Sequence, residues 1–263
     1  SLPVVLIYSI VLTIHNKEFL VERVLRSILT LTTGDYELVI VFDGCSDKSE
    51  EKSLRILKQF PSLKYKIIHT PDVHETKANN AGMRICTGDY LVIVQDDMIV
   101  DEHGWNERLS KPLKTFSDVY ACSAYCSHNL RLDKGKIVNT DLYYPEDRNI
   151  FAIKDISPRG PLILKHQIVS ELGYLDESFS PCLMDDHDLH ARAFKQKGML
   201  CGCYQSKYIS KFEWGGTHQH PKANGKSFKD IIYKAEEKNS MIMKRKHLNF
   251  ITMEKHDEYR RLS

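Results

Sequence analysis

The sequence contains no apolar run close to the roughly 20 residues that span a bilayer, and its charge has almost no bias of sign. Thirty-seven basic residues face 35 acidic ones, a formal net charge of +2, so composition gives no reason to expect nucleic acid as a partner. No cysteine pair has CxxC spacing, which removes zinc ribbons and dithiol redox sites. The seven cysteines, an odd number in a chain of this size, read as reduced thiols of a reducing compartment. Neither GxGxxG nor GxxxxGK[ST] occurs, so dehydrogenase and P-loop readings lose their main support. Internal repeats, low-complexity segments and Gly/Ser linkers are also missing. What remains is a 263-residue chain, 42% hydrophobic and 27% charged, the composition of an ordinary globular protein.

The apolar stretch Leu2 to Ile14 is closed by His15-Asn16-Lys17-Glu18 and lacks a basic leader and a small-residue cleavage site. It reads as a buried strand and not as a signal peptide, which favours a cytoplasmic location. Strand and helix signals then alternate. Helical spacing covers Phe19 to Leu31, and Glu37 to Phe42 is a strand ended by Asp43-Gly44. Ser49 to Phe60 reads as a helix stopped by Pro61, Lys64 to His69 as a strand, Lys77 to Cys86 as a helix and Tyr90 to Val94 as a strand. Such an order implies an α/β fold: a mainly parallel central sheet flanked by helices. Ligands of these sheets bind beyond the carboxyl ends of the strands.

The second half is less regular. Tyr120 to His128 and Met199 to Ile209 read as strands, and Asn129 to Arg148 as a polar loop. Ile163 to Leu172, Asp186 to Lys197 and Ser227 to His247 read as helices, the second stopped by Gly198. The expected partition is one domain, 1–263, with two lobes (1–97 and 98–220) and a C-terminal helical tail (221–263).

Four constellations carry chemistry. Gln95-Asp96-Asp97 ends an apolar strand. Adjacent carboxylates repel unless a cation neutralises them, and oxygen ligands suit magnesium or manganese. Solvated loop acids are the bland alternative. Asp43-Gly44-Cys45-Ser46-Asp47 ends the second strand; Asp43 is either an acceptor for a base or ribose or a turn residue. Asp185, Asp186 and Asp188 open a helix. They are either the acids of a well-capped helix N-terminus or, since one cap needs one carboxylate, a set that includes a general base for an acceptor hydroxyl. His218 and His220 follow Gly215-Gly216 and are either metal ligands or solvated loop residues.

Taken in order from about Pro3 to His220, these motifs resemble the inverting family 2 glycosyltransferases of the GT-A fold. Thr13-Ile14-His15-Asn16, Asp43-Gly44-Cys45-Ser46-Asp47, Asn80-Ala81-Gly82, Gly88-Asp89-Tyr90 and Gln95-Asp96-Asp97 match the donor half. Leu172-Gly173-Tyr174-Leu175-Asp176-Glu177 and Asp185-Asp186-His187-Asp188-Leu189 match the acceptor half. Two positions depart from the pattern. Gln95 stands where the metal motif has its first acid, and Asp185 stands where glutamate is usual.

The resemblance implies transfer of a sugar from a nucleoside diphosphate sugar, a UDP-sugar by family frequency, to a hydroxyl of a glycan or lipid-linked acceptor. It implies that Asp43 holds the base, with Thr13 and His15 lining the nucleotide cleft and Lys77 approaching the ribose or diphosphate. Asn80, Gln95 and Asp96 belong to the same donor-binding set. Asp97, with His218 or His220, would hold Mn2+ or Mg2+, and Asp186 would be the catalytic base, with Asp185 as runner-up. The basic cluster Lys244-Arg245-Lys246 reads as a solvated helix face, with contact to an anionic membrane surface as the alternative. Two rivals remain. Gln95 would suit a degenerate nucleotide- or glycan-binding module. A nucleotidyltransferase would need a Gly-rich, Lys/Arg-containing loop at His15 to Phe19, where none occurs.

Overall fold

The computed structural model describes residues 7–215 and 228–263. In chain order the strands and helices are β1 (Ile7–Ile14), α1 (Val21–Leu31), β2 (Asp35–Asp43), α2 (Ser49–Leu57), β3 (Lys64–Thr70), α3 (His74–Arg84), β4 (Tyr90–Gln95) and β5 (Met98–Val100). Then follow α4 (Trp105–Thr115), β6 (Val119–Ser123), β7 (Ser127–Asp133), β8 (Lys136–Tyr143), β9 (Ile150–Lys154), β10 (Leu162–Lys165) and α5 (His166–Leu172). The chain ends with α6 (Asp185–Lys197), β11 (Leu200–Cys203), β12 (Tyr208–Ser210), α7 (Phe228–Thr252) and β13 (Glu258–Arg261).

Nine strands form one sheet in the order β13-β9-β11-β6-β10-β4-β1-β2-β3. The pairings make β1, β2, β3 and β4 mutually parallel; β10 and β9 are antiparallel to their neighbours, and the remaining strands run with β4. The sheet is therefore mainly parallel and carries helices on both faces. Ile10 and Leu12 of β1 pack on one face with Val24 and Ile28 of α1 and Trp105 of α4. Val11, between them in sequence, packs on the other with Met83 of α3 and Leu189 of α6. Burial of both faces is why β1 and β4 are continuous apolar runs and not alternating ones. Gly82 lets α3 lie close to the sheet. A Cβ there would meet Val11 Cγ1 at 2.6 Å and Val41 Cγ2 at 3.0 Å.

Three elements differ from the sequence reading. The first three residues of the stretch read as a helix, Ile163 to Lys165, belong to β10, inserted between β4 and β6, and only His166–Leu172 is helical. A short apolar run buried on both faces has the same pattern as a buried helix. The stretch 129–148, read as a loop, holds most of the hairpin β7–β8, which turns at Lys134-Gly135. Most of β8 is exposed or half-exposed, so no alternation betrays it. The segment after α7 is no simple tail, because β13 pairs with β9 and completes the sheet edge. Its basic cluster is partly engaged. Lys246 pairs with Asp176 at 2.9 Å and Asp188 at 2.6 Å, and Lys244 donates to the Gly135 carbonyl. A basic face free to meet a membrane is correspondingly reduced. All seven cysteines are free thiols, and no described helix is long and apolar enough to cross a membrane.

Candidate active site

The carboxyl ends of β1, β2 and β4 open into one cleft lined by Thr13, His15, Lys17, Asp43, Gln95, Asp96 and Asp97. His74, Glu75 and Ala78 of α3, Cys182 and Leu183 of the loop before α6, and Ile232 of α7 complete its walls. The space between them is about 850 Å³ including its open mouth.

Asp43 is buried and holds the β3–α3 loop. It accepts from Thr70 Oγ1 (2.7 Å), the Val73 N–H (2.7 Å) and the His74 N–H (2.9 Å). Three donors leave Oδ2 the freer of its oxygens. His15 Nδ1 lies 2.5 Å from the Asp43 carbonyl oxygen, which requires its proton on that nitrogen. With Asp72, these two residues bring a ligand atom each within 4.8 Å of one another. His15 Nδ1 and Asp43 Oδ1 are already engaged, but Asp72 Oδ1 is buried with no hydrogen-bond partner, so the trio is a candidate cation site.

Asp96 and Asp97 divide the work at the end of β4. Asp96 accepts from the His15 N–H at 2.8 Å and lies 3.5 Å from the buried Lys17 ammonium, tying the β1 exit to β4. Burial raises its carboxyl above the usual range; Lys17 and the His15 N–H oppose this, and the Asp97 charge adds to it. Asp97, beside it on the cleft wall, offers the hard carboxylate oxygen that Mn2+ or Mg2+ prefers. Carboxylate oxygens that could hold such an ion are thus offered at two places, Asp97 and the His15–Asp43–Asp72 cluster. His218 and His220 lie outside the described residues.

Behind the cleft runs an ion-paired chain that was not read from the sequence. Gln95 Nε2 donates to Glu75 Oε1 at 2.5 Å, and Arg159 Nε donates to the same oxygen at 2.8 Å. Arg159 Nη2 reaches Asp185 Oδ1 at 2.7 Å, while Thr76 Oγ1 donates to Asp185 Oδ2 at 2.7 Å. Burial disfavours the Arg159 cation, yet Asp185 and Glu75 outweigh that and raise its pKa far above the ordinary value. Burial raises Glu75; Arg159 opposes it, and the charges of Asp185 and Asp186 push it further up. Arg159 sits in Ser157-Pro158-Arg159-Gly160-Pro161, which reads as an exposed turn, so only the ion-pair partners distant in sequence reveal it.

The two candidate bases occupy different settings. Asp185 is fully buried, with both oxygens committed to Arg159, Thr76 and the Asp186 N–H. Asp186 directs Oδ1 to His187, whose Nδ1 is 2.6 Å away. Burial would raise its carboxyl, but His187 and Arg159 outweigh burial and hold it well below the usual carboxylate range. Neither acid lines the cleft; both stand behind Glu75 on the side of β6 and β7. The backbone ahead of them is left-handed at Leu183 (φ +78°) and Met184 (φ +64°), a cost of about 1–3 kcal/mol each. Asn239 of α7 offsets part of this by donating to the carbonyls of Phe179, Cys182 and Leu183.

Two expected donor residues are not brought into the cleft. Asn80 is buried and spends its amide on the Leu175 backbone, accepting at 3.0 Å and donating at 2.8 Å. It staples α3 to the segment before α6. Lys77 is exposed and is absent from the cleft lining.

Comparison with known proteins agrees with this architecture. The profile of glycosyl transferase family 2 matches residues 9–164; the chain belongs to this family. It is 28% identical over 123 residues to the glycosyltransferase GlyA of Streptococcus pneumoniae serotype 4, covering 46% of this chain and 17% of that protein. It is 26% identical over 117 residues to the uncharacterized glycosyltransferase EpsJ of Bacillus subtilis strain 168, covering 44% and 33%. The chain thus spans a third or less of the curated relatives it matches here. Among solved structures it is similar to the mannosyltransferase PcManGT from Pyrobaculum calidifontis, in complex with GDP-Man and Mn2+, at TM-score 0.55 and 17% identity, covering 75% of this chain and 54% of that one. It is also similar to glucosyl-3-phosphoglycerate synthase from Mycobacterium tuberculosis, in complex with Mn2+, UDP and glucosyl-3-phosphoglycerate. There the TM-score is 0.59 and the identity 13%, over 91% and 80% of the two chains. The fold is of the GT-A type.

Proposed function

We propose that the protein is an inverting glycosyltransferase that takes a sugar from a nucleoside diphosphate sugar, with UDP favoured, and delivers it to an acceptor hydroxyl. The observation that carries the reading is the shared cleft. It joins the β1 and β2 exits, suited to a nucleotide, to the Asp96-Asp97 pair at the end of β4. Thr13, His15 and Asp43 Oδ2 line the nucleotide end. Asp97 would hold Mn2+ or Mg2+, which when bound supplies charge neutralisation to the departing diphosphate. Asp186, which stands outside the cleft lining with Oδ1 on His187, is the proposed acceptor of the proton from the acceptor O–H. The acceptor oxygen bonds to the sugar C1 from the face opposite the donor, the C1–O bond to the diphosphate breaks, and the nucleoside diphosphate leaves with the bonding pair. Asp185 is a positioning residue, since its oxygens are bound to Arg159 and Thr76.

The test is a panel of UDP- and GDP-sugars with manganese, read by release of the nucleoside diphosphate. Release from at least one donor is expected, together with calorimetric binding of UDP that requires Mn2+ and is lost in Asp97→Ala. Metal-dependent UDP binding that survives Asp97→Ala removes that residue from the metal site. Binding with no turnover on any donor leaves a non-catalytic module.

A further inference from the structure

Beyond the Asp97 end of the cleft lies an aromatic cluster that no step above uses. Tyr125, in the turn between β6 and β7, and Tyr144, just past the end of β8, meet edge to face with ring centroids 5.7 Å apart. Both are large exposed aromatics, at 42% and 49%. The site around them is built. Tyr125 N donates to Ser123 Oγ at 3.0 Å, and the Ala124 N–H donates to the Pro161 carbonyl at 2.9 Å. At Gly160, next to Arg159, φ is +152°, and a Cβ would stand 3.0 Å from Tyr125 Cβ and 3.5 Å from Met98 Cε. Gly160 therefore packs against both Tyr125 and Met98, the residue that follows Asp97. Strand β12 runs antiparallel beside β5, with Ser210 opposite Met98. Its Tyr208 sits in the same electrostatic neighbourhood, where burial and then Tyr125, Cys126, Asp97 and Tyr144 raise its phenol. On the other side, the thiol of Cys126 is pushed up to about 12 by burial, with Cys203 and Asp186 contributing. Three residues beyond Tyr125, the His128 ring meets that of His187 at 5.4 Å, and His187 binds Asp186 Oδ1, so the segment that carries Tyr125 runs from the neighbourhood of Met98 towards the proposed base.

We propose that Tyr125 and Tyr144 form a stacking platform for a pyranose ring of the acceptor, which makes that acceptor a saccharide. A tyrosine ring presents an apolar face to the C–H face of a sugar and a hydroxyl to its polar rim. A phosphate, a carboxylate or a bare lipid chain has no such ring to offer. This inference rests on the transferase reading and assigns its substrate class.

The experiment uses the full chain, Mn2+, the donor that is hydrolysed, and two acceptor sets: methyl pyranosides with disaccharides, and 3-phosphoglycerate with glycerol phosphate. Transfer to a saccharide is expected. Tyr125→Ala should raise its KM by about 10-fold, in line with an aromatic contact worth about 0.5–1.5 kcal/mol. Tyr125→Phe should keep most of the affinity. Donor hydrolysis and UDP binding should be unchanged in both variants, which separates acceptor loss from misfolding. Saturation-transfer NMR of the same saccharides reads binding without turnover. The platform is refuted by transfer only to the ring-free acceptors, by a saccharide KM unmoved in Tyr125→Ala, or by a panel in which no saccharide binds. Failure of donor hydrolysis in the wild type would instead strike the transferase reading itself.

Discussion

At the residue scale, neighbouring acids that look alike in sequence separate by their partners. Asp185 and Asp186 both open α6, yet one faces Arg159 and Thr76 and the other faces His187. Asp186→Asn should lower turnover about 10²–10⁴-fold, the range for a general base, with the UDP dissociation constant unchanged. Asp185→Asn should act first on stability. It leaves Arg159 buried with Glu75 alone, and breaking a buried pair costs about 3–5 kcal/mol. Denaturant titration and single-turnover rates on both variants check this. Equal loss of turnover with no loss of stability in Asp185→Asn would reassign the base. Sequence alone left the pair open because a carboxylate's role depends on its partners. Thr76 and Arg159 lie 109 and 26 residues from Asp185.

At the element scale, α7 holds the second half of the chain together through charge as well as packing. Lys246 bridges Asp188 of α6 and Asp176, and His247 Nε2 lies 2.7 Å from Asp188 Oδ1. Burial raises Asp188, but His247, Arg192 and Lys246 outweigh it and lower its carboxyl. Asp176, raised by burial and lowered more by Lys246 and Ser178, falls to about 2. The sign follows from linkage. A carboxyl lowered on folding stabilises fully above its unfolded value, near pH 4, and loses that contribution as pH falls through the folded value. Lys246→Met should therefore cost about 1.5–3 kcal/mol at pH 7, the range for hydrogen bonds to charged groups. Urea midpoints of variant and wild type should converge as pH falls from 4 to 2. A constant gap across that window would mean that Lys246 acts through its aliphatic stem. None of this was visible in the run Lys244-Arg245-Lys246, which by composition alone is a solvated face.

For the whole molecule, the legible part was the first half, and the reason is local. Strands β1 to β4 alternate with helices in sequence order, each buried run announces itself, and the strand-end acids of the cleft sit at the end of β2 (Asp43) and just past β4 (Asp96, Asp97). The second half hides because its order in the sheet departs from its order in the chain: β10 lies between β4 and β6, and β9 lies between β11 and β13. Pairings that skip along the chain leave no periodic trace. The same crossing bears on the expected partition at residue 97. Strand β4 of the first half pairs with β10 through Tyr90 to Ile93, so cutting there exposes an apolar edge that the second half covers. Residues 1–97 expressed alone should aggregate or remain unfolded, since an unpaired hydrophobic edge strand recruits other chains. The intact chain should unfold in one cooperative step, with circular dichroism and the fluorescence of Trp105 and Trp214 giving coincident urea transitions. Trp105 belongs to α4 and Trp214 to the turn after β12, yet both pack in the core cluster that holds β1. A monomeric, folded 1–97 fragment, or two separated transitions, would show that the halves are independent units that merely share a sheet.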